Sequence, residues 1–165
     1  MEWQQENFII STDKNKLNLT YIHQFLSNKS YWAEGIPFHI VKKSIENSLC
    51  LGIYDGEKQI GFARIITDEA TFGYLADVFV DAAYRGKGLS KWLMNVICDL
   101  PFMPLLRRFM LATKDAHGLY EQFGFAPVTF PERLMQVHRP DVYEIREKKR
   151  SKYYLKAALH THLPL

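Results

Sequence analysis

A basic, glycine-rich turn is the part of this sequence best suited to binding a charged ligand. Arg85-Gly86-Lys87-Gly88 stand between a strand-like segment, residues 71–80, and a segment with helical spacing. The first turn of a helix has unpaired backbone N–H groups at the positive end of the helix dipole, and glycine lets an anion come close to them. The turn therefore predicts a phosphate-binding site.

Two common phosphate-binding patterns do not fit this turn. A P-loop would need glycine at Asp81 and serine or threonine at Gly88, and a dinucleotide fingerprint would need glycine at Lys91. Both patterns are excluded. A lone Gly-x-Gly is equally typical of a plain tight turn, so the surrounding residues have to identify the ligand.

Asp77 is a second candidate for chemistry because it lies in the otherwise apolar end of the preceding strand. A carboxylate buried without a partner is costly. Strict alternation along the strand predicts that Asp77 shares one face with Leu75 and Phe79. Two roles stay open. The carboxylate binds a substrate ammonium or deprotonates it through water, or it forms an ion pair, for example with Arg64 on the adjacent strand.

The helices and strands that position these residues follow from hydrophobic spacing and caps. Four helices are predicted, beginning after caps at residues 11–13, at Pro37, after Gly88 and after Asp115, and the fourth is stopped by Gly124. Strands are predicted at residues 49–54, 59–67, 71–80, 108–112, 125–130 and 134–137. This order predicts an α/β (α+β) domain with a mixed, mostly antiparallel sheet of six to seven strands and helices on both faces.

Composition limits the class of protein. The chain has 165 residues, of which 47% are hydrophobic and 24% charged, so one globular domain is expected and disorder is excluded. No apolar run approaches the roughly 18–20 residues that span a bilayer. The first residues lack the pattern of a secretory signal, and the two cysteines make neither a disulfide framework nor a zinc site. We therefore expect a cytoplasmic protein without a metal.

The positive charge is concentrated at the C-terminus. Residues 144–165 hold six Lys or Arg and two Glu, whereas residues 1–143 hold 15 and 16 of these two classes. We expect a domain at 1–143 followed by a basic, helical extension that is not a second domain. Such charge runs are usually a solvated helix face, so nucleic acid is not expected as a partner. The extension could also pack on a second subunit, which leaves a homodimer open.

The surroundings of the turn resemble a known family. Residues 80–90, Val-Asp-Ala-Ala-Tyr-Arg-Gly-Lys-Gly-Leu-Ser, are similar to the acetyl-CoA turn of the GCN5-related N-acetyltransferases (GNAT), and residues 119–125 resemble that family's Leu-Tyr-x-x-x-Gly-Phe segment. The resemblance covers about residues 8–143. It implies the acyl-CoA N-acyltransferase fold, with acetyl-CoA bound and CoA released. Two residues depart from the family pattern: Ser90 replaces Gly or Ala, and Thr113 replaces an Asn near the pantetheine arm.

The resemblance also implies which residues hold the cofactor and react. The implied cofactor residues are Val78, Phe79, Val80, Arg85, Gly86, Lys87, Gly88, Leu89, Ser90, Thr113, Asp115 and Tyr120. Tyr120 and Asp77 are the implied catalytic residues, and Tyr120 would protonate the leaving thiolate. A half-buried structural tyrosine is the alternative for Tyr120.

The acceptor amine is expected near the loop between the first two helices, as in the family. The implied substrate-binding residues are Tyr31, Trp32, Glu34, Tyr74, Asp77 and His117. Aromatic rings beside a carboxylate suit a cationic group. Equally, Trp32 could seal the core, and His117 could be an ordinary surface residue.

These observations predict an acetyl-CoA-dependent N-acetyltransferase, in which a primary amine of a small molecule attacks the thioester directly in a ternary complex. Two alternatives remain. The acceptor could be a protein amine or an aminoacyl-tRNA, or the chain could be a non-catalytic acyl-CoA sensor that needs the turn but neither Tyr120 nor Asp77.

Overall fold

One six-stranded sheet forms the centre of the molecule, with its strands in chain order. The computed structural model describes residues 1–143, so the predicted helical extension at 144–165 lies outside the described residues. The strands are β1 (Glu2–Gln5), β2 (Phe8–Ser11), β3 (Leu49–Asp55), β4 (Lys58–Thr67), β5 (Phe72–Val80) and β6 (Arg108–Met110). Neighbours are antiparallel except β5 and β6, which are parallel, so the predicted mixed sheet is confirmed.

Within residues 1–143, four α-helices pack on this sheet. They are α1 (Leu19–Lys29), α2 (Phe38–Glu46), α3 (Leu89–Cys98) and α4 (His117–Tyr120). The prediction that α1 begins after caps at residues 11–13 is wrong. Ser11 ends β2, Asp13 caps a 3-10 turn, and the cap of α1 is Asn18, whose side chain accepts a hydrogen bond from the Tyr21 amide at 2.9 Å.

The helices divide between the two faces of the sheet, as predicted. The buried residues Phe25 and Val41 of α1 and α2 pack against Phe62 and Phe79, and the rings of Phe25 and Phe79 stack at 3.7 Å. On the other face, α3 buries its apolar stripe, which is built from Leu89, Leu93, Met94, Val96 and Ile97. β5 therefore lies between the two helical layers, with side chains packed against each of them.

A β-bulge interrupts β5 at Asp77. Phe62 pairs with Phe79 and Arg64 pairs with Ala76, so one residue of β4 faces two residues of β5. Asp77 has a positive φ of 56°, a conformation that costs energy for a residue other than glycine. The extra residue places Leu75 in the layer under α3 and Phe79 in the layer under α1. The prediction that Asp77, Leu75 and Phe79 share one face is therefore wrong.

Two predicted strands do not form in the described part of the chain. Residues 125–130 and 134–137 pair with no strand there, and the segment between them contains a 3-10 turn, Pro131–Arg133. Proline cannot donate to a strand ladder, so Pro127 interrupts the first segment, whereas the second contains no proline and simply has no pairing partner there. β6 is consequently the edge of the sheet.

The fourth helix is shorter than predicted, and its N-cap is Ala116, which makes no side-chain cap hydrogen bond. Thr113 Oγ1, rather than Asp115, accepts a hydrogen bond at the helix start, from the Ala116 amide at 3.1 Å. A 3-10 turn continues the helix to Gly124, whose φ of 81° ends it as expected. Within residues 1–143, no helix is long and apolar enough to cross a membrane, and no cluster of His, Cys, Asp or Glu could hold a metal ion.

Candidate active site

The N-terminus of α3 stands open to solvent at the end of β5. Gly86 and Gly88 both have φ of 78°, and a Cβ on either would meet nothing within 4 Å. Gly88 is the N-cap and provides no side-chain hydrogen bond, and the first turn holds no acidic residue. The amides of Leu89 and Ser90 belong to this first turn and have no partner within the helix. The geometry therefore suits a phosphate group at this point.

The polypeptide before the helix is held firmly. The Asp81 amide donates to the Ile60 carbonyl at 2.7 Å, and the Asp81 carboxylate accepts from the Ala83 amide at 3.0 Å. Lys87 Nζ lies 5.7 Å from the ring centre of Phe8 and 5.2 Å from that of Tyr84. Arg85 is exposed on the same turn. The turn thus presents positive charge without a neutralising carboxylate in the first turn of the helix.

The two strands beside this helix part before they reach it. Parallel pairing of β5 with β6 ends at Tyr74 and Met110, and β5 continues for six residues to Val80. The predicted cofactor residues Val78, Phe79 and Val80 lie on this extension, which has no partner strand on its β6 side within residues 1–143. An extended ligand could therefore run along β5 from the helix terminus toward the centre of the sheet.

A cavity of about 310 Å³ opens at the end of β6. Thr113, His117, Tyr120 and Glu121 line it together with apolar residues, whereas Asp115 is exposed and does not line it. Tyr120 is 9% exposed, and its burial raises the pKa of the phenol to about 12, with smaller contributions from Tyr31 and Asp115. The phenol therefore stays protonated throughout the physiological range.

Asp77 is paired within the protein. Its Oδ2 lies 2.7 Å from Nε of Arg64, and its Oδ1 accepts a hydrogen bond from Nε1 of Trp32 at 3.2 Å. The side chains of Asp77 and Arg64 are only 10% and 14% exposed. Arg64 Nη1 also donates to Oγ of Ser48 at 3.2 Å. Of the two roles considered for Asp77, the ion pair is present in the structure, and the role in deprotonation stays a prediction.

The loop between α1 and α2 reaches across the opening between β5 and β6. Trp32 donates a hydrogen bond to Asp77 of β5. The hydroxyl of Tyr31 accepts a hydrogen bond at 2.9 Å from the amide of Lys114, which follows β6 in the chain. The two rings meet edge to face at 5.0 Å and are about half exposed. Glu34 is exposed on the same loop, so the structure gathers most of the predicted acceptor residues near this opening.

Three residues near this site were missed by the sequence analysis. Tyr143 is partly buried against the α1–α2 layer; burial raises the pKa of its phenol, and the charge of Asp77 raises it further. Ser48 and Lys114 contribute the contacts described above. Nothing in the sequence indicates these contacts because Lys114 lies 83 residues from its partner Tyr31.

Comparisons with known proteins agree with this geometry. The model of the acetyltransferase (GNAT) family matches residues 19–125. A Gibberella zeae protein named "Putative acetyltransferase FG08082" is 30% identical over an alignment of 138 residues, and the match covers 72% of this chain and 78% of that protein. A Xanthomonas campestris crystal structure, described as "a putative acetyltransferase belonging to the gnat family", is 44% identical with a TM-score of 0.83, covering 86% of this chain and all (100%) of that one.

A more distant structure shares the fold alone. A Clostridium acetobutylicum protein solved with acetyl-CoA is 11% identical, with a TM-score of 0.55 over 80% of this chain and 95% of that one. The match of the family model over most of the domain, together with the curated relative, establishes the relationship. This chain is an acetyltransferase of the GNAT family.

Proposed function

We propose that this acetyltransferase uses acetyl-CoA to acetylate a primary amine of a small molecule, by direct attack in a ternary complex. The observation that carries the proposal is the open N-terminus of α3 beside the point where β5 and β6 part. Bound acetyl-CoA would supply an electrophilic thioester carbonyl and a thiolate leaving group. The remaining steps depend on residues of this chain.

The phosphate groups would be held by the first turn of α3. The amides of Leu89 and Ser90 point along the helix axis toward the turn, and Arg85 adds a positive charge. Gly86 and Gly88 leave open space where a side chain would stand. The residues present therefore fit a diphosphate, and the unpaired stretch of β5 fits an extended arm attached to it.

Tyr120 acts in this proposal as a neutral hydrogen-bond donor to the departing sulfur. Its pKa of about 12 exceeds that of a free thiol, ~8.5, by about 3.5 units, so complete proton transfer from the phenol would cost about 5 kcal/mol. The nitrogen of the amine forms the new bond to the carbonyl carbon, and the carbon–sulfur bond breaks. The proton lost by the nitrogen finally resides on the sulfur, so the phenol need not ionise.

The acceptor would enter beside Tyr31 and Trp32. Their exposed rings suit an ammonium group through cation–π attraction. The loop is hydrogen-bonded both to Asp77 and to the Lys114 amide, so it crosses the opening between β5 and β6. Because this narrows access to the opening, a small acceptor is favoured over a protein surface. Asp77 holds the Trp32 ring in place, and it could also remove a proton from the amine through water.

Release of free thiol from acetyl-CoA, measured across a panel of small primary amines, tests this proposal. Saturable thiol release with at least one small amine, and acetylated amine as the product, is the expected result. Turnover with peptides or aminoacyl-tRNA alone would favour the alternative acceptors. Tight binding of CoA without turnover on any amine would instead indicate a sensor.

A further inference from the structure

A wide groove lies along the outer edge of β6, separate from the turn at α3. It encloses about 720 Å³ between β6 and the chain that follows Gly124. Its walls include Phe109, Phe125 and Phe130, which give it an apolar floor. The groove shares Phe109, Met110 and the wall at residues 125–128 with the cavity that Tyr120 lines, but no step proposed above for acetyl transfer uses its arginines.

The groove carries positive charge that nothing in the described chain neutralises well. Arg107, Arg108 and Arg133 line it, all three are exposed, and no carboxylate is among its described lining residues. Arg133 stacks over the Phe130 ring at 4.1 Å and reaches Glu132 only at 3.9 Å, with both side chains well exposed. An exposed pair of this kind contributes little. The groove therefore favours a ligand that brings negative charge.

The free backbone edge of β6 indicates a second property of the ligand, its conformation. Arg108, Phe109 and Met110 pair with β5 on one side, and on the other side they have no strand partner in the described residues. The segments at 125–130 and 134–137, predicted as strands, do not fill this position. An edge strand with free N–H and C=O groups is a template for an added extended peptide.

We propose that this groove binds an extended, acidic peptide segment of a partner protein, which adds to the sheet beside β6. Main-chain hydrogen bonds to β6 would hold the peptide, and its carboxylates would meet the guanidinium groups of Arg107, Arg108 and Arg133. Cross-strand neighbours share a face of the sheet, so an acidic residue opposite Arg108 lies beside its guanidinium.

Charge argues against two other occupants. The chain beyond residue 143 has six Lys or Arg and only two Glu, so it has the same sign as the groove. The exposed segment at residues 131–140 of a second copy carries Arg133 and Arg139 but only one carboxylate, Glu132. Placing it in the groove would again bring positive charge against positive charge. Neither occupant would neutralise the positive charge of the three arginines that line the groove.

Fluorescence anisotropy with the full chain and a labelled peptide of alternating Glu and Val tests the proposal. The peptide is blocked at both ends, so it offers no amine for acetylation. We expect saturable binding that weakens as salt is raised. We also expect about tenfold weaker binding to the variant carrying both Arg108→Gln and Arg133→Gln, since two ion pairs are lost. Lys42→Gln, which removes an exposed cation on α2, is the matched control and should bind as well as the unaltered chain.

Two further probes distinguish the contribution of the ion pairs from that of the main-chain hydrogen bonds to β6. A peptide with N-methyl groups on alternate amides keeps its carboxylates but cannot complete the ladder, so it should bind at least tenfold more weakly. Citrate at the same concentration should not displace the peptide. Displacement by citrate, equal binding of the N-methylated peptide, or unchanged binding by the double arginine variant would each overturn the proposal. CoA affinity of that variant, expected within about twofold of the unaltered chain, checks that its fold and cofactor site are intact.

Discussion

Asp77 and Arg64 form an ion pair between neighbouring strands, with Oδ2 and Nε 2.7 Å apart. The pair exists because a bulge turns Asp77 toward the layer under α1, where Trp32 also reaches it. A carboxylate with partners on both oxygens is suited to positioning other groups. The same bulge thus links the backbone of β5 to the loop that borders the acceptor opening.

Replacing Asp77 with Asn tests whether this carboxylate positions Trp32 or removes a proton. Because the guanidinium of Arg64 would remain nearly buried without its counter-ion, we expect the free energy of unfolding to fall by about 2–4 kcal/mol, measured by urea unfolding. With a positioning role, kcat/KM falls while the shape of its pH profile is unchanged. Loss of the acidic limb of that profile would identify Asp77 as the base. Arg64→Gln is the companion variant, since it also breaks the pair but leaves the carboxylate.

Tyr120→Phe removes the phenol and keeps the ring in its cavity. Because the hydroxyl is proposed to stabilise the departing sulfur, we expect kcat to fall about 10- to 100-fold, with the Kd of acetyl-CoA changed less than about threefold. Steady-state kinetics and calorimetry measure the two quantities. A kcat equal to that of the unaltered enzyme would show that the ring of Tyr120 only packs in the core. Tyr54→Phe, which removes a buried phenol of β3 that does not line the cavity, is the control.

The pH dependence of the reaction follows from the raised pKa of Tyr120. Burial moves this pKa to about 12, above the ordinary value near ~10, so the protonated phenol persists to higher pH in the folded state. Ionisation of Tyr120 should therefore cause no loss of kcat below about pH 10. The stability linked to this group is complete below pH ~10 and is lost as pH rises toward 12. An alkaline limb near pH 8.5–9.5 that is present in the enzyme and absent from Tyr120→Phe would contradict this.

Gly88→Ala tests the turn at α3. At a φ of 78°, alanine costs about 1–2 kcal/mol of backbone strain, and its methyl would occupy space that a phosphate needs. We expect CoA affinity to drop at least tenfold. Gly56→Ala is a matched control, because Gly56 also has a positive φ, 56°, with nothing within 4 Å, but lies in the β3–β4 turn. A similar loss of affinity in both variants would mean that general destabilisation is responsible.

The hydroxyl of Tyr54 is buried without a hydrogen-bond partner in the described structure. Removing an unsatisfied buried polar group relieves a desolvation cost, so Tyr54→Phe should raise the free energy of unfolding by about 1 kcal/mol. Thermal and urea unfolding measure the change. A clear loss of stability would show that this hydroxyl has a partner in solution, such as a bound water.

Sequence patterns were sufficient where local chemistry decides the structure. The helical spacing of α3 and the glycines before it depend on residues close together in the chain, and both features are present. The bulge at Asp77 could not be predicted, because strict alternation assumes one residue opposite another. It requires the register with β4, which only the folded sheet determines.

In the candidate site, too, the local motif was predicted from the sequence, whereas the long-range contacts were not. The motif around residues 80–90 identified the turn and the family without tertiary information. The contacts of Tyr31 with the Lys114 amide and of Trp32 with Asp77 join residues 83 and 45 positions apart. The segments 125–130 and 134–137 are rich in apolar residues, but neither has a pairing partner in the described residues, and Pro127 removes a ladder donor from the first.

Calorimetric titration of the full chain with coenzyme A is the most direct test of the cofactor site. We expect saturable heat with one site per chain, together with a rise in Tm at saturating ligand. Gly88→Ala should reduce the affinity at least tenfold, and Gly56→Ala should leave it intact. Absence of both heat and thermal stabilisation at millimolar coenzyme A would contradict the account, because the open terminus of α3 would then hold no diphosphate.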